Sequence, residues 1–294
     1  MFFKLNRYHL IALIIVVIWG TTFISTKVLI NNGLSPEDIF LYRFILAYIG
    51  ILFFSKNRLF AQTLKDEIIF IILGITGGSA YFLAENYAIK ITQATNVAFI
   101  VCAAPLLTAF LSHIFLKNER LNRRLIQGSL LALCGVALVV FNGKFILQLN
   151  PLGDLLSFLA ALSWACYTIL MLQVSVRYPI GFITRKVFFY GILTILPTFL
   201  LHPLTSDLQL LGQPVIYLNI LFLGVAASLL CYFFWNMVIK HLGAVKSTNF
   251  VYIVPIITLI ASSLILDETI TVYAVAGMLM ILSGVIWAEK RKSL

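Results

Sequence analysis

Residues 68–90 read IIFIILGITGGSAYFLAENYAIK. As a helix this stretch rises about 1.5 Å per residue and is long enough to cross the hydrocarbon core of a bilayer. Yet it carries a carboxylate, Glu85, five residues before its end. A soluble protein could hold such a run as one buried helix. The rest of the chain decides against that. It has 294 residues, is 61% hydrophobic and only 11% charged, and its mean hydropathy is +1.02. A soluble domain is about a quarter charged. The composition therefore points to an integral membrane protein.

Runs of similar character recur along the chain. Spans are predicted near 9–30, 36–55, 68–90, 95–116, 123–142, 153–175, 181–202, 215–240, 244–266 and 271–288. The start, MFFKLNRYHLIALIIVVIWG, resembles a signal peptide, but no small-x-small cleavage site follows. It is read as an uncleaved first span. The net charge of +10 does not form one basic stripe. It lies in small groups at alternate span ends: Lys4/Arg7, Lys56/Arg58/Lys65, Lys117/Arg120/Arg123/Arg124, Arg177/Arg185/Lys186, Lys240/Lys246 and Lys290/Arg291/Lys292. The opposite ends carry Lys27, Lys90 and Lys144 with Glu37, Asp38, Asp207, Asp267 and Glu268. This is the positive-inside bias. It places both termini in the cytoplasm, requires an even number of spans, and gives no nucleic-acid face. Cys102, Cys134, Cys166 and Cys231 all fall in apolar runs without a CxxC pair and are read as buried free thiols.

The chain also matches itself. Advancing by 150 positions carries Gly74 to Gly224, Asn86 to Asn236, Lys90 to Lys240, Pro105 to Pro255, Thr108 to Thr258 and Ser112 to Ser262. At a shift of 149, Glu119 meets Glu268, Gly128 meets Gly277 and Gly135 meets Gly284. With smaller shifts Trp19 meets Trp164 and Arg43 meets Arg185. Two units follow, 1–146 and 147–294, each with five spans. Because five is odd, the second unit enters the membrane in the opposite sense. An inverted repeat with charges inside it is a transporter architecture, in which two near-equivalent halves exchange outward-open and inward-open states. The fold expectation is an all-α membrane protein of ten helices around a central cavity.

The same residues carry a resemblance. The first span, VIWGTTFISTK (17–27), resembles the WG-x-x-F start of the EamA-type exporters of the drug/metabolite transporter superfamily. NYAIKITQATNVAFIVCAAPLLTAFLSHIFLKNERL (86–121) is similar to that family's Lys-x-Thr hairpin, central proline and Leu-x-x-Glu-Arg ending. VIKHLGAVKSTNFVYIVPIITLIASSLILDETI (238–270) repeats the pattern with Asp-Glu-Thr in place of Asn-Glu-Arg. SWACYT (163–168) departs from its twin IWGTTF (18–23). The resemblance implies spans 1–4 and 6–9 around the cavity, with 5 and 10 peripheral. It also implies export or exchange of amino acids or other small metabolites, or efflux of amphipathic drugs and organic cations, from a bacterial inner membrane.

Depth assigns the candidate residues. In the predicted orientation Glu85 lies about 7 Å below the outer end of the third span. Arg43, seven residues into the second, lies about 10 Å below the same surface. The two are expected to pair or to share one polar cavity. Three roles stay open at this point: a packing ion pair, a carboxylate reaching toward Lys90, or a substrate-binding and proton-coupling group with Arg43 holding a substrate carboxylate. The second copy has Trp235 where the first has Glu85, so the helix folds without the acid. Helical spacing adds Trp19, Thr22 and Thr26 on the first span, Trp164, Tyr167, Thr168 and Met171 on the sixth, Gly78 and Tyr81 with Glu85 on the third, and Tyr232, Trp235 and Asn236 on the eighth. These are either packing aromatics or the wall of a pocket for flat or cationic substrates. Pro105 and Pro255 are expected to kink their spans, and the paired glycines to bring spans 5 and 10 close.

Other classes find little support. The sequence has no HExxH, GxSxG or Walker A motif, and His9, His113, His202 and His241 lack metal-ligand spacing. No enzyme, cofactor or metal is expected. A channel would more typically show a re-entrant loop or a charged ring, and a non-transporting scaffold would not need intramembrane charges. The expected partners are a small-molecule substrate, the bilayer, a proton as coupling ion, and a second copy in a homodimer.

Overall fold

The computed structural model describes residues 6–55, 59–92, 94–116, 123–141, 150–204, 207–266 and 271–289. Among these residues all regular structure is helical. A helix stands at each of the ten predicted positions: α1 Arg7–Asn31, α2 Pro36–Leu52, α3 Leu64–Ile91, α4 Asn96–Phe115, α5 Arg123–Phe141, α6 Pro151–Val174, α7 Ile180–Leu200, α8 Pro214–Leu242, α9 Ala244–Ala261 and α10 Val272–Glu289. Eight of these, α1 and α3 to α9, are long and apolar enough to cross a membrane. In α10 the apolar stretch is shorter, Val272–Ala288. α2 has 17 residues, with Glu37, Asp38 and Arg43 among them. The loop charges Lys4, Lys56, Arg58, Lys117, Arg120, Lys144, Asp267, Glu268, Lys290, Arg291 and Lys292, and the Glu119 match, lie outside the described residues.

Helix starts follow local chemistry. Ser35 caps α2: its hydroxyl accepts from Asp38 N at 3.1 Å, and Asp38 accepts from Ser35 N at 3.2 Å, with Pro36 in the first turn. This capping box satisfies two helix-end donors at once. Thr63 and Asn150 cap α3 and α6 in the simpler way, accepting from Asp66 N and Gly153 N.

Four helices are not regular inside. α3 passes through a π-helical turn at Ile75–Ser79, where Gly78 leaves helical geometry (φ −131°, ψ −106°). α8 holds a longer π-helical stretch at Phe222–Leu230. The prolines act more sharply than expected. Instead of kinking continuous helices, Pro105 opens the new helical segment Ala104–Phe115 after a turn at Cys102–Ala103, and Pro255 follows a 3-10 turn at Phe250–Ile253. A proline lacks the N–H that would bond back, so it sits best in the first turn of a segment.

Polarity runs from inside to outside in reverse of a soluble protein. Leu10, Ile14 and Val17 are exposed along α1, while Arg43, Glu85, Asp66, Arg185 and Lys186 are buried. Apolar surface gains nothing by leaving lipid, so helices associate through close packing and polar contacts. α5 and α10 show the first of these. Gly128 faces Gly284 and Gly135 faces Gly277, and an added Cβ at any of the four would stand 2.5–2.6 Å from the partner's carbonyl oxygen. Around the centre, packing comes in matched pairs: α3 on α6 and α8 on α1, α4 on α6 and α9 on α1, α2 on α8 and α7 on α3. Cysteine placement corrects the expectation in part. Cys102 and Cys231 are buried, but Cys134 is exposed on α5 and Cys166 is only half-buried.

Candidate functional site

Where α1, α2, α3, α4, α6, α8 and α9 converge they leave a cavity with about 520 Å³ of atom-free space, part of it open to solvent. Neither α5 nor α10 contributes to its wall. The wall is largely aromatic. Trp19 meets Trp164 edge-on at 5.3 Å between ring centroids, Tyr81 lies 5.2 Å from Trp164, and Tyr232 lies 5.8 Å from Trp164 at 87°. Edge-to-face rings hold one another in fixed orientations. Hydrogen bonds lock two of them further. Trp19 Nε1 donates to Ala227 O at 3.1 Å, and Tyr232 OH donates to Gly77 O at 2.6 Å. The π-helical stretches of α3 and α8 supply both carbonyls, since a widened turn leaves carbonyls free to accept from elsewhere.

Two charged groups interrupt this wall. Glu85 is 7% exposed and Arg43 2%. Glu85 Oε1 accepts from Tyr81 OH, one helical turn earlier, at 2.7 Å. Arg43 Nε donates to Ser228 Oγ on α8 at 2.9 Å, and the guanidinium lies over the Phe82 ring at 4.2 Å. Both line the cavity, as depth predicts, but no ion pair within 4.0 Å joins these two described residues. Each charge is instead anchored by one bond. Among the described residues, Glu85 Oε2 and both terminal nitrogens of Arg43 have no hydrogen-bond partner and are not fully enclosed. They therefore open onto the cavity. A fixed cation and a fixed anion, each with spare hydrogen-bonding capacity, face one aromatic chamber.

Of the residues expected from depth and spacing, Trp19, Thr22, Arg43, Tyr81, Glu85, Trp164 and Tyr232 line the cavity. Tyr167, Trp235 and Asn236 do not; they form the layer behind it. Tyr167 OH donates to Asn236 Oδ1 at 2.6 Å, and Asn236 Nδ2 donates to Thr184 Oγ1 at 3.0 Å. Trp235 is fully enclosed, 4.8 Å from Trp19, with Nε1 unpartnered. Gly78 also stays off the wall and meets Gly191 and Phe44 across a helix contact. Phe23, Phe82, Val101, Val251 and Val254 line the cavity without having been singled out from sequence. Phe82 gives no sign of its position except adjacency to Tyr81, and the three valines look like any lipid-facing residue. Among the described residues no group of three His, Cys, Asp or Glu side chains could hold a metal.

Comparison with known proteins places this geometry. The EamA-like transporter family model matches residues 6–141 and again 151–288. The chain belongs to the EamA-like transporter family. It is 30% identical over 279 residues to the uncharacterized transporter YyaM of Bacillus subtilis (strain 168), covering 92% of this chain and 89% of that protein. It is 26% identical over 283 residues to a probable amino-acid metabolite efflux pump of Salmonella typhimurium, covering 93% and 92%. A solved crystal structure superposes with a TM-score of 0.75 at 19% identity, covering 96% of each chain. The family, the relatives and the apolar helices together make this a multi-pass membrane protein and a small-molecule transporter.

Proposed function

We propose that this transporter exports or exchanges small amphipathic or aromatic metabolites, amino acids foremost, across the cytoplasmic membrane by alternating access. The observation that carries the reading is the pair of charges opening onto one aromatic chamber. Arg43 can take a carboxylate through its two free nitrogens in a bidentate pair. Glu85 can take an ammonium, and Trp19, Tyr81, Trp164 and Tyr232 offer stacking faces for an apolar side chain. The name of the Salmonella relative agrees with that chemistry. The matched packing of α1 to α4 with α6 to α9 supports two inverted halves, 1–146 and 147–294, rocking about the cavity. Positive-inside charge supports cytoplasmic termini, and the family and its bacterial relatives support a bacterial inner membrane. A proton on Glu85 is the coupling species in this scheme: carried when the substrate ammonium is absent, released when it binds.

A second reading, efflux of organic cations, has its own support. Glu85 and the aromatic faces alone would suffice for a cation, leaving Arg43 as a packing charge held by Ser228 and Phe82. The two readings separate by binding. Thermal-shift measurements on the purified protein would compare aromatic amino acids, their methyl esters and their N-acetyl derivatives. The amino-acid reading expects stabilisation only by the zwitterions. Stabilisation by the methyl esters at least as strong as by the zwitterions would favour the cation reading, and none by any of the set would reject both.

A further inference from the structure

At the end of the bundle remote from Glu85, α3 begins with two consecutive acids, Asp66 and Glu67. Asp66 is 2% exposed. It accepts from Tyr178 OH at 2.7 Å and pairs with Arg177 at 2.7 Å. Glu67 Oε1 accepts from Lys186 Nζ and from Tyr190 OH, and its Oε2 accepts from Ala61 N at 2.5 Å. Tyr178 OH in turn accepts from Gln62 N at 3.0 Å, so the segment before α3 is drawn in as well. Rings close the space beneath. Phe70, Tyr178 and Phe182 lie mutually 5.1–5.4 Å apart, and the Lys186 ammonium sits over Phe60 and Tyr190 at 5.2 Å each.

The bonds of Asp66 to Arg177 and Tyr178, of Glu67 to Lys186 and Tyr190, and of Gln62 to Tyr178 join the first half, through α3 and the segment before it, to the second, through α7 and the turn before it. The cavity does not use them. At the opposite end α3 is held mostly through backbone carbonyls: Lys27 Nζ donates to Ile89 O, Asn150 Nδ2 to Ile91 O and Asn86 Nδ2 to Pro36 O. The internal match makes the contrast sharper. α8, the counterpart of α3, starts PVIYLNIL and has no acid in its first turn. Two halves that were otherwise alike would close either end equally well; here two acids of the first half reach across to the second, whereas at the other end the buried Glu37 accepts from Tyr87 OH within the first half.

We propose that Asp66 and Glu67, with Arg177, Tyr178, Lys186 and Tyr190, form a one-sided latch. It holds shut the end predicted to face the cytoplasm and biases the resting protein toward access from the other side. The proposal rests on the alternating-access reading, but on no choice of substrate. Charge-assisted hydrogen bonds are the strong ones. Removing one from a partly buried pair shifts a two-state equilibrium by about tenfold or more.

The test is a distance between spin labels in the full chain, reconstituted in nanodiscs without substrate. Labels go on Leu64→Cys and Val176→Cys, two exposed positions flanking the latch, after Cys102, Cys134, Cys166 and Cys231 are replaced. The parent should give one short distance. Glu67→Gln should add a longer population, raised by about tenfold or more over the parent. Lys186→Gln, measured in parallel in case the first variant folds poorly, should do the same. An unchanged short distance in both well-folded variants overturns the latch. Because no substrate is present, a failure of the amino-acid reading in binding or transport would leave this result standing, and the reverse also holds.

Discussion

Replacing Gly128 and Gly135 together with alanine should weaken the α5–α10 contact while leaving transport intact. At Gly135 a new Cβ would lie 2.6 Å from Gly277 O and 2.8 Å from Ile281 N. At Gly128 it would lie 2.5 Å from Gly284 O. Ordinary contact begins at 3.4 Å, so the helices must part by about 0.8–0.9 Å. The obstacles are backbone atoms, which cannot swing aside. Overpacking of this kind costs about 1–3 kcal/mol per site, and alanine returns up to about 1 kcal/mol in helix propensity. The net is about 1 kcal/mol each. The sites lie two turns apart, about 10 Å along the axis, but one parting of the helices relieves both, so together they cost about 1–2 kcal/mol. That corresponds to a melting point lower by about 2–6 °C for a chain of this size. The assay is a thermal melt in detergent, with Cys134→Ala as control because that side chain is exposed on the same helix. Since neither helix lines the cavity, uptake at low temperature should match the parent. A double variant that melts at or above the parent would refute the close-packing argument. One that melts normally but does not transport would refute the peripheral role.

Three further outcomes follow from the site. Asn236→Ala removes the acceptor of Tyr167 OH in a fully buried position and should cost about 1–3 kcal/mol, read as a lower melting temperature, with any substrate-affinity change secondary. Trp164→Ala removes the ring that Trp19, Tyr81 and Tyr232 all touch, and should weaken binding of aromatic substrates more than that of small ones, by about 3–10-fold in an equilibrium titration. Arg43→Lys keeps the charge but loses the Nε bond to Ser228 and the planar fork; substrate affinity should fall nearly as far as in Arg43→Gln, whereas a site needing only positive charge would be rescued by lysine.

Much of the fold is legible in the sequence, for physical reasons. Span positions followed from the length of apolar runs, because a bilayer fixes how long a helix must be. The shared cavity of Arg43 and Glu85 followed from depth, since 1.5 Å per residue is a reliable ruler along a helix. Rotation about the helix axis was less readable. Tyr232, Trp235 and Asn236 were grouped on α8, but only Tyr232 reaches the cavity. All three lie in the regular segment Cys231–Leu242, but Trp235 and Asn236, about a turn beyond Tyr232, are covered by Trp19 and Tyr167, which the spacing along one helix cannot show. Gly78 stays off the wall because it sits at the non-helical point of α3, so the spacing to Tyr81 and Glu85 no longer measures one face. Of the two arrangements that depth allows, direct pairing or a shared cavity, Arg43 and Glu85 adopt the second. Ser228 and Tyr81 each offered a nearer partner, and neither identity could be ranked from one sequence. The latch at Asp66 and Glu67 was invisible because Arg177, Tyr178 and Lys186 are more than a hundred positions away.

Glu85 and Arg43 are proposed to read a zwitterion together inside an aromatic chamber. Counterflow of labelled aromatic amino acids into proteoliposomes, with and without a pH gradient, tests it most directly, with the parent beside Glu85→Gln. Uptake by the parent should respond to the gradient, and both uptake and response should be lost in a variant that still folds and melts normally. Equal counterflow by parent and variant would contradict it and leave Glu85 a packing charge.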